Sequence, residues 1–221
     1  MYSIKMSQVE LFEVHQQKEP DTALPDTLPA IQRWLNTADN PDDAFYAAVY
    51  AQMSELPIRK EISRFIEKVN AAGNNAARIA CDRGDPDVFA VLEAARKVQV
   101  EIHRITGFLR FSPDPQGVYT ARCEPDYFVL PALAEHFTLR FGETPWAIID
   151  EKRGLRLCRQ NGGKARIMPN LAGPAAKSED GDCWGDLWRL YHRSVSNESR
   201  KNPRLQRQFI PKRYQKHLNE L

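Results

Sequence analysis

The chain has 221 residues, 42% of them apolar and 27% charged, with a net charge of only +2. This composition is ordinary for a globular protein and long enough for one domain or one and a half. No run of eighteen apolar residues exists and the first ten residues lack the apolar stretch of a signal peptide, so the reading is a soluble, cytoplasmic chain without a membrane partner.

Cys81, Cys123, Cys158 and Cys183 are widely and irregularly spaced. No C-x-x-C pair occurs, so the expectation is reduced cysteines with no metal site and no cofactor. The charge is unevenly distributed. From Trp188 to His217 nine basic residues face the single acid Glu198, a local net charge of +8. Such asymmetry points to a polyanionic partner.

Residues 1–40 carry Pro20, Pro25 and Pro29, with room for a short helix from Leu28 to Thr37. Asn40-Pro41-Asp42-Asp43 is a helix start, and the helix should run to about Ser54. A second helix follows Pro57, with Ile58, Ile62, Phe65, Ile66 and Val69 on one face and Gly73 closing it. Asn74 to Cys81 fits another short helix. Asp85-Pro86-Asp87 starts the clearest element, whose stripe is Val88, Val91, Leu92, Ala95, Val98, Ile102 and Ile105, with Gly107 as its stop.

From there the period changes to two. Strands are expected at 108–111 and 118–123 around the turn Pro113 to Gly117, then a helix after Pro131, then strands at 145–150 and 155–159. The order β-β-α-β-β predicts an α+β fold, an antiparallel sheet covered by helices after a helical N-terminal half. The expected organisation is a helical region 1–84, an α+β core 85–168, a mobile loop 169–182 and a helix with a basic segment over 183–221.

Arg200, Lys201, Arg204, Arg207, Lys212, Arg213 and Lys216 can meet phosphates, Asn202, Gln206 and Gln208 can bond phosphate, sugar or base, and Tyr214 can stack on an unpaired base. Arg104 and Arg110 can extend that surface. A solvated terminal helix or a docking segment for an acidic protein would share this composition. The reading depends on these cations lying outward. Catalytic residues are not identified; His103, Glu124, Asp126 and Asp150 are the acid–base candidates. The competing uses are a helix C-terminus for His103 and a cap for Asp126. Arg153 is either an exposed turn residue or a phosphate contact. P-loop, dinucleotide, zinc-protease and nucleophile-elbow motifs are absent from the sequence.

Three stretches together carry a family resemblance: Glu101 to Phe111; Glu124-Pro125-Asp126 with Val129-Leu130-Pro131, His136-Phe137, Arg140-Phe141, Pro145-Trp146, Asp150 and Arg153-Gly154; and Asn202 to Tyr214 with Lys216-His217-Leu218. They resemble the uncharacterised bacterial family labelled "probable DNA metabolism protein". The resemblance implies a setting in DNA repair or modification beside a radical-SAM DNA-repair protein or a uracil-DNA-glycosylase-like protein, and it carries over no catalytic residue. The chain lacks the family's Tyr-Asp-Gly-Ser-Phe-like opening, and Gln215 stands where members often have Trp. The expectation is therefore a nucleic-acid-binding accessory protein for DNA or RNA, leaning away from an enzyme. The alternatives are an enzyme on damaged or modified nucleic acid and a protein-docking adaptor.

Overall fold

A computed structural model describes residues 43–114, 116–160, 162–171, 183–200, 202, 204, 205, 208, 210–215 and 218. The helix expected at 28–37 and most of the loop expected at 169–182 lie outside them.

Helix α1 (Asp43–Met53), α2 (Arg59–Ala71) and α3 (Ala76–Ala80) follow the sequence signals. Gly73, at φ +50°, turns the chain after α2 in a conformation that costs other residues a steric clash. Helix α4 (Pro86–Phe108) starts as its signature requires: the Asp85 side chain accepts the backbone N–H groups of Asp87 (2.9 Å) and Val88 (3.2 Å), and Pro86 opens the first turn. Its apolar stripe is buried except at Leu92, which is partly buried. Its first half packs with α1, α2 and α3, and its second half carries Val98, Ile102 and Ile105 into the main core under the sheet.

Helix α4 passes through Gly107 and ends at Phe108, so the strand expected at 108–111 does not form. The apolar residues there serve three separate neighbours. Phe108 packs on Tyr214, Leu109 is buried, and Phe111 packs on Phe137 and Phe141. Strand β1 is instead Ser112–Pro113, at the sheet edge where a proline leaves no ladder donor unpaired. A hairpin to β2 (Tyr119–Cys123) does form, but from Ser112–Pro113 and not from 108–111; it is closed by Asp114, whose carboxylate accepts the backbone N–H groups of Gln116 and Val118.

Helix α5 (Leu130–Phe141) then returns the chain, and β3 (Trp146–Asp150) runs parallel to β2. The expected sheet was antiparallel throughout; the helical crossover makes this pair parallel, since it brings the chain back to the end where β2 began. β4 (Leu155–Arg159) and β5 (Arg166–Pro169) add antiparallel pairs in the order β1-β2-β3-β4-β5. All five residues of β3 are buried, as befits a central strand covered on both faces. The fold is α+β with a mixed five-stranded sheet. Helix α6 (Cys183–Val195) and the short α7 (Lys212–Gln215) follow. Among the described residues no helix is long and apolar enough to cross a membrane.

Candidate nucleic-acid interface

The basic C-terminal segment is fastened to the fold by one buried carboxylate. Glu101, on α4, is 2% exposed. Its Oε1 accepts hydrogen bonds from the Asp126 N–H, the Tyr214 hydroxyl and Arg213 Nη2, each at 2.9 Å, and its Oε2 accepts the Tyr127 N–H at 2.8 Å. Arg213 Nη1 also pairs with Asp126 at 2.8 Å. These four donors replace the water that a buried carboxylate loses. The Tyr214 ring lies 5.4 Å from that of Phe108. Burial, then the Glu101 charge, pushes the Tyr214 phenol above its ordinary value. Tyr214 and Arg213 are therefore anchors, a correction to the expectation that Tyr214 stacks on a base and Arg213 meets phosphate: one ring is in the core and one guanidinium is held by the protein's own acids.

A second node closes the ends of the parallel strands. Asp150, the last residue of β3, is fully buried, and Arg153 lies across it. Arg153 Nη1 donates to Asp150 Oδ2 (3.0 Å) and to the Pro125 carbonyl (3.2 Å), while Nη2 donates to the Asp126 carbonyl (3.0 Å) and pairs with Glu55. Its guanidinium sits 5.9 Å over the Phe128 ring. Arg153 is thus neither an exposed turn residue nor placed to meet phosphate. Burial pushes the Asp150 carboxyl up, and Arg153 opposes that shift.

The carboxyl end of adjacent parallel strands is where open α/β sheets commonly bind ligands. Glu124, Asp126 and Asp150 do gather at this end of β2 and β3, but Asp126 and Asp150 are engaged by Arg213 and Arg153. His103 is exposed on α4, and its carbonyl accepts the Thr106 hydroxyl. Among the described residues no group of three or more His, Cys, Asp or Glu side chains could hold a metal ion.

The outward-facing residues lie elsewhere on the same segment. Arg200, Asn202, Arg204, Gln208 and Lys212 are exposed, as is Arg104. Among the described residues no acid is paired with Arg104, Arg200, Arg204 or Lys212. Lys201, Gln206, Arg207 and Lys216 lie outside the described residues. Arg110 is half-buried and donates to the Gly107 carbonyl (3.0 Å), and its guanidinium stands 5.7 Å over the Trp188 ring of α6. The C-terminal part of α4 and its exit thus receive both α6, through Arg110 and Trp188, and α7, through Glu101 and Phe108.

Trp188 and Tyr191 stand three positions apart on α6 with ring centroids 5.7 Å apart, and both are exposed.

No curated protein and no solved structure matches this chain. A family model does match, over residues 58–220, taking in α2 through the last anchor residue Leu218. With well over half of its length matched, the chain belongs to the domain-of-unknown-function family DUF4130.

Proposed function

We propose that this chain is a nucleic-acid-binding accessory protein of DNA repair or modification, acting in the cytoplasm with a partner enzyme. The observation that carries the proposal is the division of labour in the basic segment. Arg213 and Tyr214 are clamped inward, which fixes the path of the chain, and Arg200, Arg204 and Lys212 remain outward. Exposed cations on a positioned backbone are what phosphate contacts require. The resemblance to the "probable DNA metabolism protein" family supplies the repair setting and the partner classes, a radical-SAM protein or a uracil-DNA-glycosylase-like protein. The binding reading is favoured over an enzymatic one because Asp126 and Asp150 are engaged by arginines.

The test is a salt series. Fluorescence anisotropy with a labelled duplex should show log affinity falling against log salt with a slope of about −3, roughly 0.9 for each of the three phosphates neutralised. The charge reversals Arg200→Glu, Arg204→Glu and Lys212→Glu together should abolish binding. Absence of binding to DNA and RNA at low salt would overturn the reading. Co-purification with a repair enzyme that survives nuclease treatment, without nucleic-acid binding, would replace it with a docking role.

A further inference from the structure

We infer that the exposed face of α4 between Arg96 and Gly107 is a second phosphate-contact surface, which takes the sugar–phosphate backbone of a nucleic-acid duplex. This rests on the proposed nucleic-acid binding and narrows its substrate.

Helix α4 buries one side in the two core clusters and turns the other to solvent. Arg96, Lys97, Val100, His103, Arg104 and Gly107 share about a third of the helix circumference. All six are exposed. The free charges there have one sign. Glu93, one turn earlier, pairs with Arg96 at 3.1 Å and with Arg83 at 3.9 Å. From there to the helix end the remaining acid is Glu101, which is buried on the inner side. Among the described residues Lys97, His103 and Arg104 make no ion pair. The helix dipole favours cations only in the last turn, and Lys97 stands about three turns before the end.

Gly107 is a second, independent observation. Glycine inside a helix is destabilising relative to alanine. Its φ is not positive, and among the described residues no neighbouring side chain lies within 4 Å of the place a Cβ would take. Neither backbone conformation nor packing therefore requires glycine here. What the missing side chain does is keep the surface low beside His103 and Arg104, where a ligand backbone can come close.

These features select the occupant. Cations without acids call for a polyanion. From Arg96 to Gly107 the exposed face carries no aromatic ring, so it offers unpaired bases nothing to stack on. The helix holds Lys97 and Arg104 about 10 Å apart along its axis. A duplex presents phosphates in an equally fixed array. Glu101 of α4 also bonds Arg213 and Tyr214, so this face and the basic segment share one scaffold.

Duplex binding by the full chain should be followed by fluorescence anisotropy across a salt series. The three outward cations of the basic segment alone give a slope of about −3; with Lys97 and Arg104 added it should be about −4.5. Lys97→Gln and Arg104→Gln should each weaken the duplex roughly five-fold and reduce the slope by about 0.9. Glu93→Gln, which releases Arg96, should tighten it. Gly107→Gln should weaken the duplex yet raise the urea midpoint, because glutamine is the better helix former. Lys60→Gln, which removes an exposed cation of α2, should have little effect. Oligo-dT should bind more weakly than the duplex and respond little to the α4 variants, and DNA and RNA duplexes of one length show which helix form is preferred. Circular dichroism and urea midpoints at or above the parent's would show that the variants fold. A parent slope near −3, with Lys97→Gln and Arg104→Gln unchanged in affinity, would overturn the α4 surface and leave the proposed function standing. Equal loss in Lys60→Gln would overturn it as well, since net charge alone would then be at work. Poly-glutamate displacing the duplex at equal charge concentration would overturn it in favour of an acidic protein partner. No binding of the parent chain to any probe would overturn the proposed function itself.

Discussion

Replacing Arg153 by methionine would leave the Asp150 carboxylate, fully buried at the end of β3, without its cation. Removing one partner of a buried pair costs about 3–5 kcal/mol, because the remaining charge is neither solvated nor paired. The same change strips donors from the Pro125 and Asp126 carbonyls and frees Glu55. The cost should depend on pH in a defined direction. Burial already raises the Asp150 carboxyl, and without Arg153 it rises further above its unfolded value. A group raised on folding contributes stability below its unfolded pKa and loses it as pH rises through the folded one. The deficit of Arg153→Met should therefore be smaller at pH 5 than at pH 8 in urea titrations, and Asp150→Asn in the same chain should recover part of it. A deficit independent of pH would show that Asp150 is not the group left stranded. The Lys152-Arg153-Gly154 turn is legible in the sequence. The distant partners of Arg153 are not, since Glu55 is 98 residues away and the Pro125 carbonyl 28, each in a different loop.

Among the elements, α4 shows how far local signals reach. Asp85-Pro86-Asp87 identifies its start, and the cap is present. The sequence does not reveal that Lys68 of α2 bonds both carboxylates, to Asp85 at 2.5 Å and to Asp87 at 2.8 Å, or that Arg64 joins Asp87 at 3.2 Å. Hydrogen bonding from Lys68 holds both aspartates below the usual carboxylate range. A depressed carboxyl contributes stability above its unfolded pKa, near 4, and loses it as pH falls through the folded value. Asp85→Asn keeps a competent cap but removes the charge. It should lower the urea midpoint slightly at neutral pH and flatten the loss as pH falls below about 4. Asp85→Ala should do both and lower the neutral midpoint further. An acid limb unchanged in Asp85→Asn and Asp87→Asn would remove the α2–α4 clamp from the acid response. Legibility fails in the same way elsewhere. The period-two apolar run at 108–111 is real, but it is divided between a helix end and a linker. β5 has no legible period, because Ile167 is the one buried residue of its four. The parallel β2–β3 pairing depends on the path of α5, which no local pattern encodes.

At the scale of the whole molecule, the basic segment is both surface and core. Its exposed cations were legible from charge alone, but its anchoring was not, because Tyr214 meets Glu101 across 113 positions of chain. Ile210 packs on the main core, and Tyr214 and Leu218 are buried. A chain cut after Val195 would therefore lose more than an interface. It would remove the Tyr214 ring from Phe108, take two of the four donors from Glu101 and expose the core surface that Ile210, Tyr214 and Leu218 cover. Burying one large apolar side chain contributes about 1.5–3 kcal/mol, so losing several is a large share of the roughly 5–15 kcal/mol that holds a domain together. The cut chain should unfold at a markedly lower urea concentration, with near-ultraviolet dichroism lost in the same transition. Tyr214→Phe, which removes only the hydroxyl donor to a charged acceptor, should cost about 1.5–3 kcal/mol. The triple charge reversal at Arg200, Arg204 and Lys212 should stay within about 0.5 kcal/mol of the parent at each position, since these side chains are exposed and make no ion pair among the described residues. If the cut chain kept the parent's midpoint, Arg213 and Tyr214 would be a surface latch and truncation would be a fair probe of binding. If it does not, weakened binding after truncation reports unfolding, and only the point charge reversals separate the phosphate-binding role of this segment from its role in the fold.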